Sequence, residues 1–307
     1  MSFYIDYTPY KLRDWVLLDN LNWTELSNNP HAIQLIEDNM DKVNWKKFSR
    51  NPNAILILEK NIDKINWEQL SLNKNAINIL EQNLDKIDWS YLSQNPNAIH
   101  LLEQNQDKID WNVLLSNKNA IHLIQNHKYD DWDLMNNLCT NVNGVSILEK
   151  IPEEIDWNFL CENKSPRAIS LIEKNLDKLE EDDWIYNISK NPSAINLIEQ
   201  NLDKISWTWL SLNPRALHLI EKNLDKIDWR LLSENPQALH LLEENQDKIS
   251  WWGLSKNVSI FEIDYQKLKT RVEPFKEELI QKCFHPDRLI RYLETYNYDI
   301  GEDEYQD

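Results

Sequence analysis

Apolar and polar positions recur along this chain with a 22-residue period. One unit, beginning at Ser93, reads "SQNPNAIHLLEQNQDKIDWNVL", and close copies begin at Ser27, Ser49, Ser71, Ser211 and Ser233. Tryptophans mark the period: Trp23, Trp45, Trp67, Trp89 and Trp111 stand 22 residues apart, as do Trp207, Trp229 and Trp251. Between them, Trp132, Trp157 and Trp184 drift, with intervals of 21, 25, 27 and 23. Within a unit, Ala98, Ile99 and Leu102 fall at i, i+1 and i+4, one stripe of a short helix with Leu101 beside it. Asn95 followed by Pro96 predicts an N-cap and a first-turn proline for that helix. Asn105 predicts its left-handed end, and Asp110 caps a second helix carrying Trp111 and Leu114 on one face.

Helices of two or three turns are not stable alone, so the unit must bury its stripe against its neighbours. The pattern therefore predicts an all-α fold: an α-solenoid of about ten 22-residue helix-turn-helix repeats, with a buried Trp row and helical caps at both termini. Residues 1–26 are expected to be an N-terminal capping segment, and 27–254 the repeats, irregular over 115–190. Residues 255–307 would supply C-terminal capping helices and an acidic tail. Leucine-rich repeats have a similar unit length. Their apolar slots around Asn105 are occupied by Asn97, His100, Leu102 and Asp107, of which one fits, and the two-helix unit is favoured.

Composition narrows the function. The formal charge of −18 over 307 residues repels phosphate backbones and anionic lipid, which argues against nucleic acid and favours a basic protein partner. No stretch reaches the ~20 apolar residues of a membrane span, and the N-terminus lacks a signal-peptide pattern. A soluble, cytoplasmic protein is expected. With three glycines, none clustered, phosphate-cradling loops are excluded. Cys139 and Cys161 fall at equivalent places in adjoining repeats, and the ~8–10 Å between packed helices is too wide for a disulfide.

Four histidines, His100, His122, His218 and His240, share one slot of the unit, which elsewhere holds Gln34, Leu56, Asn78 and Ser170. Metal ligands must converge on one ion, which a row spread over separate repeats does not do. The slot reads as variable surface, with Tyr91 and Val113 marking a second variable slot on the Trp helix. These six residues are the candidate partner-binding positions. The recurring Glu103, Asp107, Lys108 and Asp110 are too uniformly copied to be a catalytic set, and no cofactor or metal site is predicted. His285-Pro286-Asp287 matches the co-chaperone J-domain tripeptide, but only about twenty residues follow it, and a helix boundary is the simpler reading.

Taken together, "NPNAIHLLEQNQDKIDW", the opening "YKLRDWVLLDNLNW" and the ending "FHPDRLIRYLETYNYDIGEDE" resemble the short-repeat proteins that giant nucleocytoplasmic DNA viruses of the mimivirus-like group encode in many copies. The resemblance runs from about residue 8 to about residue 303, and is weakest over 116–190. It carries over no activity, cofactor or active-site residue. It places the protein in host cytoplasm or the virion, either as a non-enzymatic scaffold gripping a host or viral protein through variable positions or as a virion spacer.

Overall fold

A computed structural model describes residues 8–126 and 135–296, so Trp132 and the acidic tail lie outside the described residues. The chain divides into a repeat unit ending at Glu262 and a second unit from Ile263. The repeat unit is the all-α solenoid its period predicts, built of paired short helices such as Trp89–Gln94 and Ile99–Gln104. Most described pairs are followed by a 3-10 turn, here Gln106–Lys108.

The predicted stripe forms the core. Ala98 and Leu102 are fully buried, as are Ala54 and Leu58, Ala76 and Leu80, and Ala238 and Leu242 in their own repeats. Leu92 and Leu114, three residues after each Trp, seal the Trp helix to this layer. Where other repeats have Ala, one has Gly144, because a Cβ there would sit 2.7 Å from the Leu138 side chain. Apart from the buried Trp184, the described repeat tryptophans are only half-buried, contrary to the expected buried row. Six of them are instead covered by the lysine of the following repeat. Lys86 Nζ lies 4.7 Å from the Trp67 ring centroid, and Lys42, Lys64, Lys108, Lys226 and Lys248 repeat the contact. A cation over an indole face shields it without a full apolar shell, which explains the recurring "DKI".

Buried asparagines join repeat to repeat. Asn95 Nδ2 donates to Ser71 O at 2.9 Å and to Asn73 O at 3.1 Å, both in the preceding repeat. Its Oδ1 accepts from Asn97 N at 3.0 Å. Asn95 is thus the hub of an Asx turn rather than a helix N-cap; the second helix begins later, at Ile99, with Ala98 before it. The expected capping pair is found instead at Ser165 and Pro166, where two extra residues allow an eight-residue helix, Pro166–Glu173. Asn105 is not left-handed either: φ is −134°, and its Nδ2 satisfies Leu101 O at 2.9 Å. Asp110 caps as expected, accepting from Val113 N at 3.3 Å. Ser93 provides a further link, donating to Trp89 O and accepting from Asp110 N at 3.1 Å.

This ladder has no end. The same two bonds are made by Asn51, Asn73, Asn117, Asn141, Asn163, Asn191, Asn213, Asn235 and Asn257, each to the repeat before it. Asn29, in the first repeat, donates to Ser255 O at 3.2 Å and Asn257 O at 3.3 Å, in the last. Asn22 N likewise donates to Ser255 Oγ at 2.8 Å, as Asp110 N does to Ser93. The helices Trp23–Asn28 and Trp251–Lys256 pack as neighbours. Among the described residues, eleven repeats therefore close into a ring. The first and last repeats do not end an open stack; they meet. In the last repeat a strand, Phe261–Ile263, replaces the second helix and pairs with Tyr10–Leu12.

The irregular region obeys the same ladder. The 23-residue interval from Trp184 to Trp207 reflects one extra residue taken up as a π turn over Asp183–Ile188. There Ser189 Oγ reaches Trp184 O across five residues instead of four. Cys139 and Cys161 occupy the serine slot of their repeats as buried free thiols. Burial raises both pKa values, that of Cys139 to about 11. The second unit consists of Tyr265–Val272, Lys276–Cys283 and Pro286–Tyr296, with no buried side chain among its described residues from Ile263 onward.

Candidate partner-binding surface

The described Trp helices bury the third and fourth residues after the Trp and, with the exceptions of Glu25, Ser189 and Gly253, turn the first, second and fifth outward. That face is set by helical geometry: the second position lies nearly opposite the buried pair. Successive Trp helices pack directly against one another, whereas successive second helices approach far less closely. In a closed ring the tighter layer is the inner one, so the outward face of the Trp helices lines the centre. Eleven units about 8–10 Å apart, less the radius of a helix, leave an opening about 20 Å across.

Two sequence-predicted residues belong to this inner belt. Tyr91 and Val113 occupy the second position of adjacent repeats and are half-buried. The Glu68 carboxylate, hydrogen-bonded to the Tyr91 phenol, holds that phenol above its ordinary pKa. The slot changes character around the ring. It is polar in the first three repeats, Glu25, Lys47 and Gln69, and thereafter Tyr91, Val113, Phe159, Tyr186, Trp209 and Leu231. Phe159, Tyr186 and, one position earlier in its helix, Trp252 are 37%, 47% and 51% exposed. Tyr186 and Trp209 meet edge to face at 5.8 Å, across the repeat that contains the π turn.

The belt also differs in charge from the molecule. Its described positions hold Lys46, Lys47, Arg50, Lys190, Arg230 and Lys256 against Glu25, Glu68, Glu162 and Glu234, in a chain of charge −18. Ion pairs run from repeat to repeat: Lys47 to Glu25 at 3.7 Å, Lys190 to Glu162 at 3.1 Å, Lys256 to Glu234 at 2.9 Å. The excess carboxylates lie on the second helices and 3-10 turns.

His100, His122, His218 and His240 sit on that outer layer and do not join Tyr91 and Val113. Each ring meets the glutamate of the preceding repeat: Glu81 at 2.6 Å, Glu103 at 2.8 Å, Glu199 at 2.7 Å and Glu221 at 3.0 Å. The slot read as tolerant surface is thus a strut between second helices wherever it holds His. Around His100 these helices form an open groove of about 580 Å³ with Ile77, Glu81 and Glu103 in its walls. No cluster of metal-ligating side chains exists among the described residues, and no described helix is long and apolar enough to cross a membrane. His285 and Asp287 are exposed beside Pro286, the first residue of a helix whose amides Arg288 N and Leu289 N donate to His285 O.

The exposed aromatics Phe159, Tyr186 and Trp252 and the half-buried Trp209 are not among the positions that the sequence pattern singles out. Trp209 and Trp252 stand beside ruler tryptophans, and the extra π-turn residue hides the alignment of Tyr186. No family model matches the chain, and neither a curated protein nor a solved structure does.

Proposed function

We propose that this protein is a non-enzymatic protein-binding ring that grips its partner through the inner belt of its Trp helices. The observation behind this reading is the division of labour within the repeat. Asn, Ser, Ala and Leu positions are held constant and buried, while the second position of the Trp helix varies from charged to aromatic and leaves large apolar side chains exposed. Exposed aromatics on a fixed frame are the residues that dominate protein interfaces. The carboxylate-rich outer layer attracts basic proteins at long range and repels nucleic acid, while the near-neutral belt supplies the contact.

Isolation from the cells that make it, followed by lysine cross-linking and peptide mapping, tests this reading. Cross-links to a second protein should concentrate at Lys46, Lys190 and Lys256, and the combined Phe159→Ser, Trp209→Ser and Trp252→Ser variant should lose that protein while keeping its helical content. A partner retained in full by the triple variant, or cross-linked through outer-layer lysines such as Lys60, contradicts it.

A further inference from the structure

The helices Tyr265–Val272, Lys276–Cys283 and Pro286–Tyr296 are not needed to close the ring, whose last repeat already meets its first. We infer that they form a self-association surface, which pairs with the same three helices of a second copy of this chain about a two-fold axis. The inference stands apart from the belt and from whatever the belt grips.

Apolar surface is the first argument. Helices of 8, 8 and 11 residues are too short to persist in water without a packed face. The sequence provides such faces: Ile280 and Phe284 fall at i and i+4, and Leu289 and Tyr292 at i and i+3. Nothing among the described residues covers them, and Tyr265, Phe275, Ile280, Phe284, Ile290 and Tyr292 are between 48% and 72% exposed. At about 200 Å² for a large side chain, these six leave on the order of 700 Å² of apolar surface in water. That exceeds the largest apolar patch of an ordinary monomer, and it approaches the ~800 Å² that one partner buries in a stable interface.

Charge says which partner. Residues 263–296 hold seven Lys or Arg against six Asp or Glu, in a chain of charge −18. Copies of so acidic a molecule repel one another, and this near-neutral unit is where that repulsion is least. An anionic membrane is a poorer occupant, because one excess positive charge here does not offset the repulsion of the whole chain.

The charges are also arranged in opposition. Tyr265–Val272 carries Lys267, Lys269 and Arg271 and no acid, whereas Lys276–Cys283 has Glu277 and Glu278 in its first turn, after Glu273. Lys276 is tied to Glu273 at 3.5 Å, and Lys282 to Glu278. Lys267, Lys269 and Glu277 make no ion pair among the described residues. A two-fold axis between the first and second helices sets the lysines of each copy against Glu277 of the other. An isologous surface must be its own complement, and this one has both signs, on neighbouring helices, to be so.

Sedimentation of the intact chain at tens of micromolar tests the inference. The expected mass is twice the 36.8 kDa of one chain. The combined Phe275→Ser, Phe284→Ser and Tyr292→Ser variant should sediment as a monomer, with the melting of the repeats unchanged as the folding control. Lys267→Glu with Lys269→Glu, and separately Glu277→Lys, should each weaken the dimer at least tenfold by setting like charges together. Mixing those two variants should recover dimers that hold one chain of each. A chain that is monomeric throughout, or a dimer that the triple apolar variant leaves intact, overturns the inference. So do mixed charge variants that stay apart, and a monomer that binds phosphatidylserine vesicles through Phe275, Phe284 and Tyr292.

Discussion

The junction between the third and fourth repeats and the seam between the eleventh and the first share one design and differ in their details. Both carry the asparagine pair and the serine link: Asn95 and Ser71 at the interior junction, Asn29 and Ser255 at the seam. The interior junction adds a lysine clamp, Lys86 over Trp67. At the seam Asn20 stands where that lysine would be, and the outer layer is made by strands instead of helices. Arg13 substitutes for the missing pieces, donating from Nε to Ser259 O at 2.9 Å and reaching Glu262 at 3.4 Å, while Tyr10 stacks on His31. Nearby, Trp15 Nε1 is buried with no partner among the described residues. The ladder is what closes a ring; everything else at a junction can be exchanged. With no peptide bond across it and an orphaned donor beside it, the seam is the weaker junction.

The largest expected difference comes from removing the amide at each place. Asn95→Leu forfeits three hydrogen bonds, those to Ser71 O and Asn73 O and that from Asn97 N, with Asn73 O keeping only its bond from Ala76 N, and should cost about 3–4 kcal/mol in urea unfolding. Asn29→Leu should cost no more than about 2 kcal/mol, because the seam can part and let water satisfy the carbonyls it frees. Its signature should be selective loss of hydrogen-exchange protection at the amides of Arg13 and Asn22. Equal costs, with exchange unchanged at the seam, would erase the distinction. Next in size is Ser93→Ala, which leaves Asp110 N without its acceptor and should cost about 1–2 kcal/mol. Ser93→Cys should cost less, since Cys139 and Cys161 already serve in that slot.

The clamp should be worth up to about 1 kcal/mol at a partly exposed site. Lys86→Met should lose that amount, and Asn20→Lys should recover a similar amount at the seam by reaching Trp251. The smallest effect is a titration. Because the Glu68 carboxylate opposes the Tyr91 phenolate, Glu68→Gln should lower the pH at which that phenol ionises, read by ultraviolet absorbance against a Tyr91→Phe reference.

The period, the Ala-Leu stripe and the Asp110 cap were legible in the chain because each depends on a few neighbouring residues. Closure was not, because a ring needs the small rotation between repeats to sum to a full turn, and no local pattern encodes that sum. One signal was present: Ser27 and Asn29 at one end and Ser255 and Asn257 at the other retain the ladder residues that a true cap would discard. The double role of Asn95 was missed because "NP" before an apolar run suits a helix start and an Asx turn equally well, and only the neighbouring repeat decides. Of the candidate positions, Tyr91 and Val113 lie on the belt. The four histidines were grouped with them because variation alone does not distinguish the inner face from the outer. Phe159, Tyr186, Trp209 and Trp252 could have been found by aligning on the ladder asparagines instead of on the tryptophans.

Closure itself is tested most directly by distance. Spin labels at Asn28→Cys and Lys256→Cys, with Cys283 changed to Ser, report across the seam, and the pair at Asn28→Cys and Arg50→Cys reports across an ordinary junction. A closed ring predicts the same short distance distribution for both pairs. A seam pair lying far beyond the control pair, as the two ends of an open solenoid would, contradicts it.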